Sequence, residues 1–398
     1  MLRLSAPPLR STCAVAAAAA TSVGRGGLSW HGKASRVPHG APPPHDVRRG
    51  MATTMAPPPR SPTPAFVLDI DGVLLRGGAT IRRAPDALRL LYDSPVGPPT
   101  HPLLFLTNGG GVTEAARAAA LTDRLGVHVD ASQVVLSHTP LAAIAAAEAK
   151  AAGALSPPPA TSVLVIGGRG CADVAAGYGF RHVLAAADAA RLAPSVAPFS
   201  PPRQGEALER DDAETVAALP VGSVLVMHDS TDWGRDIQLI IDALLAASPL
   251  ANGAEAQKVK VVACNADLTF PADHPSPRLA TGAFTTALAA VYAAASGGRQ
   301  LALTRLGKPH GVQYDLAFRR LEDQRATLRL PAPTPAIYAV GDNPASDVAG
   351  ANGAGGVWRS VLVRTGNWGG ADNDVVHPAH HVVNDVYDAI SLGLRAYS

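Results

Sequence analysis

Phe66-Val67-Leu68-Asp69-Ile70-Asp71-Gly72-Val73-Leu74 is the stretch whose reading decides the fold. A run of apolar, partly β-branched residues is the pattern of a buried strand. It stops at two carboxylates one residue apart, followed by a glycine. Side chains at i and i+2 leave a strand on the same face, so Asp69 and Asp71 are expected to share one small volume. Two like charges there repel each other, and desolvation adds to the cost. A chain keeps acids off the end of a core strand unless a cation or a chemical task offsets them. A turn or helix cap is the plainer reading of the bare D-x-D-G string, and the rest of the chain has to decide.

Downstream, Ala84 to Tyr92 reads as a short helix introduced by Pro85, and Leu103-Leu104-Phe105-Leu106 as a second buried strand ending in Thr107-Asn108-Gly109-Gly110-Gly111. A helix over 114–125, a strand over 134–136 and a helix over 141–152 continue the alternation. Such alternation predicts a parallel sheet with helices on both faces. Ser156-Pro157-Pro158-Pro159 marks a boundary, and strands at 163–166, 224–227 and 259–263 follow it, with a helix over 236–247. The Ala- and Pro-rich segment 186–220 reads as an irregular surface excursion. Near Gly282 the pattern turns back: helices over 283–295 and 312–321, then the strand Ile337 to Val340, which delivers Gly341-Asp342-Asn343-Pro344-Ala345-Ser346-Asp347. A helix ending near Gly353, a strand over 357–363 and a tail helix over 386–394 complete the chain. The expected architecture is a doubly wound α/β core over 65–158 and 283–398, with an α/β domain inserted at 159–282.

Residues 1–64 are of another kind. Up to position 65 the chain has seven arginines and one lysine against the single acid Asp46, with abundant Ala, Ser and Pro. That is the composition of an organelle transit peptide followed by a stiff proline linker. A mitochondrial address is favoured over a chloroplast one, and a start at Met51 or Met55 would give a cytosolic form. Over the whole chain the formal charge is +2, which argues against nucleic acid or an anionic membrane as the main partner. Three cysteines, Cys13, Cys171 and Cys264, lie far apart without a C-x-x-C. They point to a reducing compartment, with neither a disulfide framework nor a cysteine zinc site. No apolar run is long enough to cross a bilayer, and a homodimer is compatible with the composition.

In open parallel sheets, ligands bind beyond the carboxyl ends of the strands. D-x-D-G, T-N-G-G-G, the lysine of Leu306-Gly307-Lys308-Pro309 and G-D-N-P-x-S-D would therefore converge on one pocket. The set suits phosphoryl transfer. Asp69, Asp342 and Asp347 offer the oxygens that a hard Mg²⁺ prefers. Thr107 would bind one phosphate oxygen, with glycine-loop amides beside it, and Lys308 would neutralise charge on nucleophile and phosphoryl group. Asp69 would attack phosphorus, while Asp71 would protonate the leaving alkoxide and then draw a proton from water. The second carboxylate argues for a phosphatase over a dehalogenase, since a departing halide needs no acid.

These four signatures, in this order, resemble motifs I to IV of the haloacid dehalogenase-like hydrolase superfamily, and the long insert resembles the α/β cap of its class IIA members. T-N-G-G-G-V-T-E at 107–114, V-I-G-G-R-G-C-A-D-V at 165–174, D-W-G-R-D-I-Q at 232–238, N-A-D-L at 265–268 and V-G-D-N-P-A-S-D at 340–347 are similar to the cat eye syndrome critical region protein 5-like hydrolases. The resemblance runs from Phe66 to the C-terminus. It implies a Rossmann-like core, Asp69 as nucleophile, Asp71 as acid/base, Thr107 and Lys308 as phosphate binders, and Asp342 and Asp347 in the metal motif. It also implies that the main-chain carbonyl of Asp71 faces the metal. Most class IIA members carry a second asparagine where this chain has Gly109, which reads as a change in loop contacts. Some members are linked with mitochondria and glycerophospholipid metabolism.

Asn108 and Gly109 in the loop, and Trp233, Asp236, Asn265 and Asp267 in the insert, are the candidate substrate contacts. Turn and cap duties are the plainer alternative for the last four. Gly167-Gly168-Arg169-Gly170 lacks the lysine-serine ending of a P-loop and reads as a tight turn. His377, His380 and His381 are too loosely spaced to suggest zinc. Ser137-His138 has neither elbow glycines nor a third partner for a serine hydrolase. The expected function is a Mg²⁺-dependent phosphatase acting on a small phosphorylated metabolite. A catalytically vestigial scaffold and a phosphotransferase to another alcohol are the alternatives.

Overall fold

Six parallel strands form the first sheet, in the order His381–Val383, Trp358–Val363, Ile337–Gly341, Ala65–Leu68, Leu103–Leu106, Val134–Val135. The computed structural model describes residues 62–153, 160–168, 170–208, 210–247, 257–270, 274 and 276–398. The expected transit segment, the proline linker up to Ser61, Cys13, the Ser156–Pro159 boundary and Arg169 lie outside the described residues. From Ala65–Leu68 the chain builds outward to one side of the sheet first and to the other side later. The strand order reverses at this central strand, and that is where a doubly wound sheet opens a crevice.

Alternation along each strand sorts the side chains into two cores. Phe66, Leu68, Leu103, Phe105, Tyr338 and Val340 face the helices Ala84–Arg89, Glu114–Leu125 and Val386–Arg395. Val67, Leu104, Leu106, Ile337 and Ala339 face Gly311–Thr327 and Ala349–Ala354. Because both faces are covered, the strands are continuously apolar, and the 65–68 and 103–106 strands are buried at every position. Local signals set the helix ends. Thr113 accepts a hydrogen bond from the Ala116 N–H at the start of 114–125, and Gly126 ends that helix at φ +67°.

The insert carries its own five-stranded parallel sheet, in the order Thr304–Arg305, Lys260–Ala263, Val221–Val226, Ser162–Ile166, Val183–Ala185. Val163, Val165, Leu225 and Val262 point to one face, Leu164, Ile166, Val224 and Val226 to the other. Both boundaries expected for the insert need correction. The helix Leu141–Ala152 packs Leu141 and Ala145 onto the second sheet. So does Thr281–Ala295 through Phe284, Leu288 and Tyr292, and the strand 304–305 pairs with it. The physical reason is that these segments find their apolar partners on the second sheet, although their sequence pattern alone suits either.

The segment 186–220 is also less irregular than its composition suggests. It opens with the helix Ala186–Leu192, whose Ala186, Ala187 and Ala190 are buried, and closes with the helix Ala213–Ala217. Among the described residues, no helix is long and apolar enough to cross a membrane. Cys171 and Cys264 are buried free thiols, and burial pushes the Cys171 thiol up to about 12.

Candidate active site

The strand that begins at Ala65 ends at Leu68, and Asp69 is the first residue beyond its pairing. Its main-chain N–H still donates to the Val340 carbonyl at 2.9 Å, so the carboxylate is anchored at the sheet's edge. There the Lys308 ammonium donates to Asp69 Oδ1 at 2.7 Å and to Asp347 Oδ1 at 2.6 Å. All three side chains are buried. Asp69, Asp342 and Asp347 each place a carboxylate oxygen within 4.8 Å of the others. Three buried acids face one buried ammonium, and that imbalance shows in their protonation. Burial holds Asp69 well above the ordinary carboxylate range, against the pull of Lys308. Burial, with Asp347 beside it, raises Asp342 to about 7. Lys308 is opposed by burial, yet Asp347 and Asp69 outweigh it and keep its pKa well above the usual value.

This donor set fits a divalent cation. Three convergent carboxylate oxygens with uncompensated charge are what a hard ion seeks, and such an ion would reverse the upward shifts. The backbone is shaped to admit the Asp342 carboxylate: Gly72 sits at φ +92°, and a Cβ there would collide with it. Asp342 Oδ2 accepts from the Asn367 N–H at 2.5 Å, and Asp347 Oδ2 accepts from the Asn343 N–H at 3.1 Å. Asn343 also caps the following turn through Ala345, 3.0 Å away. Beneath it the buried Tyr314 hydroxyl reaches the Ser346 and Asp347 carbonyls at 3.3 and 3.2 Å.

Asp71 does not share the buried volume of Asp69. The chain turns at Gly72, and Asp71 is exposed at the mouth of the same cleft. Both acids line this cleft, but at different depths, because the strand ends at Leu68 before the pair begins. Thr107 is buried, and its Oγ accepts from the Gly109 N–H at 2.9 Å. Asn108 is committed within the protein. Its Oδ1 accepts from the Lys308 N–H at 2.7 Å, and its Nδ2 donates to the Lys308 carbonyl at 3.0 Å and to Asp267 Oδ2 at 2.9 Å. It therefore positions Lys308 rather than offering a free amide to a ligand.

The cleft, about 440 Å³, lies between the two sheets and is lined by Asp69, Asp71, Thr107, Lys308, Asp342 and Asp347 from the core. Asn265 and Asp267 face it from the cap. Trp233 and Asp236 do not. Trp233 packs edge-on against Phe284 at 5.6 Å inside the cap core. Asp236 is fully buried, accepting from Arg235 Nε at 2.8 Å and from Ser230 Oγ at 2.7 Å. Both were expected as substrate contacts. The helix runs from Trp233 to Ala247, and its first turn faces inward.

Sequence reading missed His228 and Asp229, which line the cleft from the end of the cap strand 221–226. Asp229 Oδ1 accepts from Thr281 Oγ at 2.7 Å. Applying the strand-end rule to the second sheet as well as the first would have found them. Arg76 and Arg117 also line the cleft, and no motif signalled them.

The fold combines a doubly wound core, an inserted α/β cap and a buried acid–lysine cluster at the core strand ends. Residues 66–181 match the profile of haloacid dehalogenase-like hydrolases, and residues 305–389 match a second profile of the same superfamily. A mitochondrial hydrolase of Saccharomyces cerevisiae is 32% identical over 358 residues, spanning 84% of this chain and 96% of that protein. A Schizosaccharomyces pombe protein, a fusion of cardiolipin synthase and mitochondrial hydrolase, is 33% identical over 343 residues. The match covers 83% of this chain and 53% of the fusion, so this chain spans about half the length of that relative. Among solved structures, a glycerol phosphate phosphatase from Mycobacterium tuberculosis, in complex with calcium, superposes with TM-score 0.51 at 20% identity over 82% of this chain and 74% of that one. A possible sugar phosphatase from Cytophaga hutchinsonii does so with TM-score 0.56 at 15% identity over 82% and 95%. The chain belongs to the haloacid dehalogenase-like hydrolases.

Proposed function

We propose that the protein is a Mg²⁺-dependent phosphatase that hydrolyses a small organic phosphate monoester through an aspartyl-phosphate on Asp69. The observation that carries this reading is the Lys308 ammonium held between Asp69 and Asp347 at 2.7 and 2.6 Å, with Asp342 in the same cluster. Asp69, Asp342 and Asp347 would hold the cation, which when bound supplies charge neutralisation and Lewis acidity at a phosphate oxygen.

The chain's own residues account for the rest. Lys308 offsets part of the cost of ionising the buried Asp69 and faces the charge that develops on the phosphoryl oxygens. A carboxylate oxygen of Asp69 attacks phosphorus as the bond to the alcohol oxygen breaks. Asp71, exposed at the mouth, gives its proton to that oxygen. It then takes a proton from water, whose oxygen attacks phosphorus, releases phosphate and restores Asp69. Thr107, at the floor of the cleft, holds a phosphate oxygen. The cap shields the acyl phosphate from bulk water.

Mitochondrial residence is part of the proposal. It is supported by the mitochondrial designation of the two relatives and by the arginine-rich, acid-poor first 64 residues. The fusion relative, joined to a cardiolipin synthase, supports a substrate related to glycerophospholipid metabolism. Phosphate release from a panel of phosphate monoesters with Mg²⁺ tests the mechanism. Release should disappear with EDTA and in Asp69→Asn, and undiminished turnover by that variant would refute it. Added alcohols that accept the phosphoryl group in place of water would point to the phosphotransferase instead.

A further inference from the structure

Resting on the phosphatase reading, we propose that the substrate's alcohol portion carries a second anionic group, and that Arg117, assisted by Arg76, binds it.

Gly109 is the key to the geometry. A Cβ at this position would lie 3.7 Å from Arg117 Nη2, 3.2 Å from Thr107 Oγ1 and 3.7 Å from Asp71 Oδ2. The missing side chain leaves an opening bordered by a guanidinium, the proposed phosphate binder and the proposed acid. A group leaving phosphorus toward Asp71 therefore passes in front of Arg117.

Arg117 has no partner to occupy it. Among the described residues its side chain makes no hydrogen bond or ion pair, and its Nε is buried without an acceptor. A desolvated guanidinium N–H without an acceptor is costly, and a bound anion would supply one. Arg76, in the short hairpin of Leu75–Arg76 with Ala79–Thr80, lines the same cleft from its exposed edge and also lacks an ion-pair partner among the described residues.

None of the acids that line the cleft forms an ion pair with Arg117 or Arg76 among the described residues: Asp267 accepts from Asn108 and Asp229 from Thr281. The acid-rich floor suits a cation and the phosphoryl group, whereas the two arginines toward the mouth suit a further anion. A planar, forked guanidinium matches a carboxylate or phosphate oxygen pair. The cleft, about 440 Å³, has room for a metabolite larger than phosphate alone.

The test uses the full chain with Mg²⁺ and matched esters. Glycerol 3-phosphate has a neutral alcohol portion. 3-Phosphoglycerate adds a carboxylate, glycerol 1,3-bisphosphate a second phosphate, and glycerophosphoglycerol phosphate a phosphodiester. We expect at least one acidic ester to exceed the neutral one in kcat/KM by about 10-fold or more, the size of a charge-assisted pair. Which arm is preferred identifies the anion. Arg117→Gln should collapse that ratio to within about 3-fold of unity, Arg117→Lys should retain part of it, and Arg76→Gln should reduce it further. Equal losses on neutral and acidic esters would assign Arg117 to the transferred phosphate and overturn the proposal, as would a wild-type enzyme indifferent to the second charge. Calorimetry of Asp69→Asn with the same esters separates the two readings. Selective binding of acidic esters without turnover by the wild type would sink the phosphatase and keep this inference, whereas neutral and acidic esters bound alike would sink this inference.

Discussion

The side-chain amide of Asn108 brackets the main chain of Lys308, accepting from its N–H at 2.7 Å and donating to its carbonyl at 3.0 Å. Two residues 200 positions apart are thereby locked together, and the same amide continues to Asp267 of the cap. The loop after one core strand sets the lysine that returns from the cap. Removing the amide should free Lys308. We expect Asn108→Ala to lower kcat by about 100-fold, the cost of a displaced electrostatic group, and stability by about 1–3 kcal/mol. Steady-state kinetics and urea unfolding measure both. A variant with normal kcat would show that the clamp has no bearing on chemistry.

The acid cluster predicts how the fold responds to metal. Replacing Lys308 by Met leaves Asp69 and Asp347 buried without their cation. That should cost about 3–5 kcal/mol in EDTA, as for other broken buried pairs. Mg²⁺ should return part of it, since a ligand at 100 times its Kd stabilises by about 2.7 kcal/mol. Thermal melts of wild type and variant, each with EDTA and with Mg²⁺, provide the check. A melting temperature indifferent to Mg²⁺ in both would argue against a cation at these carboxylates.

Asp236 offers a contrasting test, because it lies away from the cleft. It is fully buried with Arg235, which also reaches Glu206 at 2.8 Å. Asp236→Ala should destabilise by about 1–3 kcal/mol, because the buried Arg235 Nε loses its acceptor while Nη1 keeps Glu206. At a temperature where the variant is folded, KM should stay within about 2-fold of wild type, the range of a residue that touches no substrate. A large rise in KM with unchanged stability would restore the substrate-contact reading.

A pH prediction comes from the hydrogen-bonded group between core and cap. His138 Nδ1 lies 2.8 Å from the Tyr178 hydroxyl, which donates to Glu114 Oε1 at 2.6 Å. Burial pushes the His138 imidazole down to about 4. It stays neutral in the native state while the unfolded chain takes up its proton near pH 6.5. Stability contributed by His138 is therefore complete above about pH 6.5 and is lost as pH falls toward 4, by up to about 3 kcal/mol. Burial also opposes the charge of Glu114, yet hydrogen bonds from Tyr178 and Thr139 hold its pKa below the ordinary value. Its share is lost only below about pH 4.5. Urea midpoints from pH 7 to 4.5 should fall more steeply for wild type than for His138→Gln. Parallel curves would contradict the assignment.

The short-range pattern of the chain carried the parallel core sheet, the places of the principal strands along the chain and the four motifs at the core-strand ends. Periodicity and strand-end chemistry depend on neighbours within a few residues. Asp69, Lys308, Asp342 and Asp347 could be named from sequence because acids at the ends of buried strands are costly unless they serve together. Where Leu141–Ala152 and Thr281–Ala295 pack could not be known, since an alanine-rich helix suits either sheet. The fates of Asn108, Trp233 and Asp236 were equally hidden. A polar side chain at a strand or helix end reads the same whether it meets a ligand or an Arg235. Only the folded chain, bringing together groups up to several hundred residues apart, decides which polar atoms are already satisfied and which, like those of Arg117, still face the cleft without a partner.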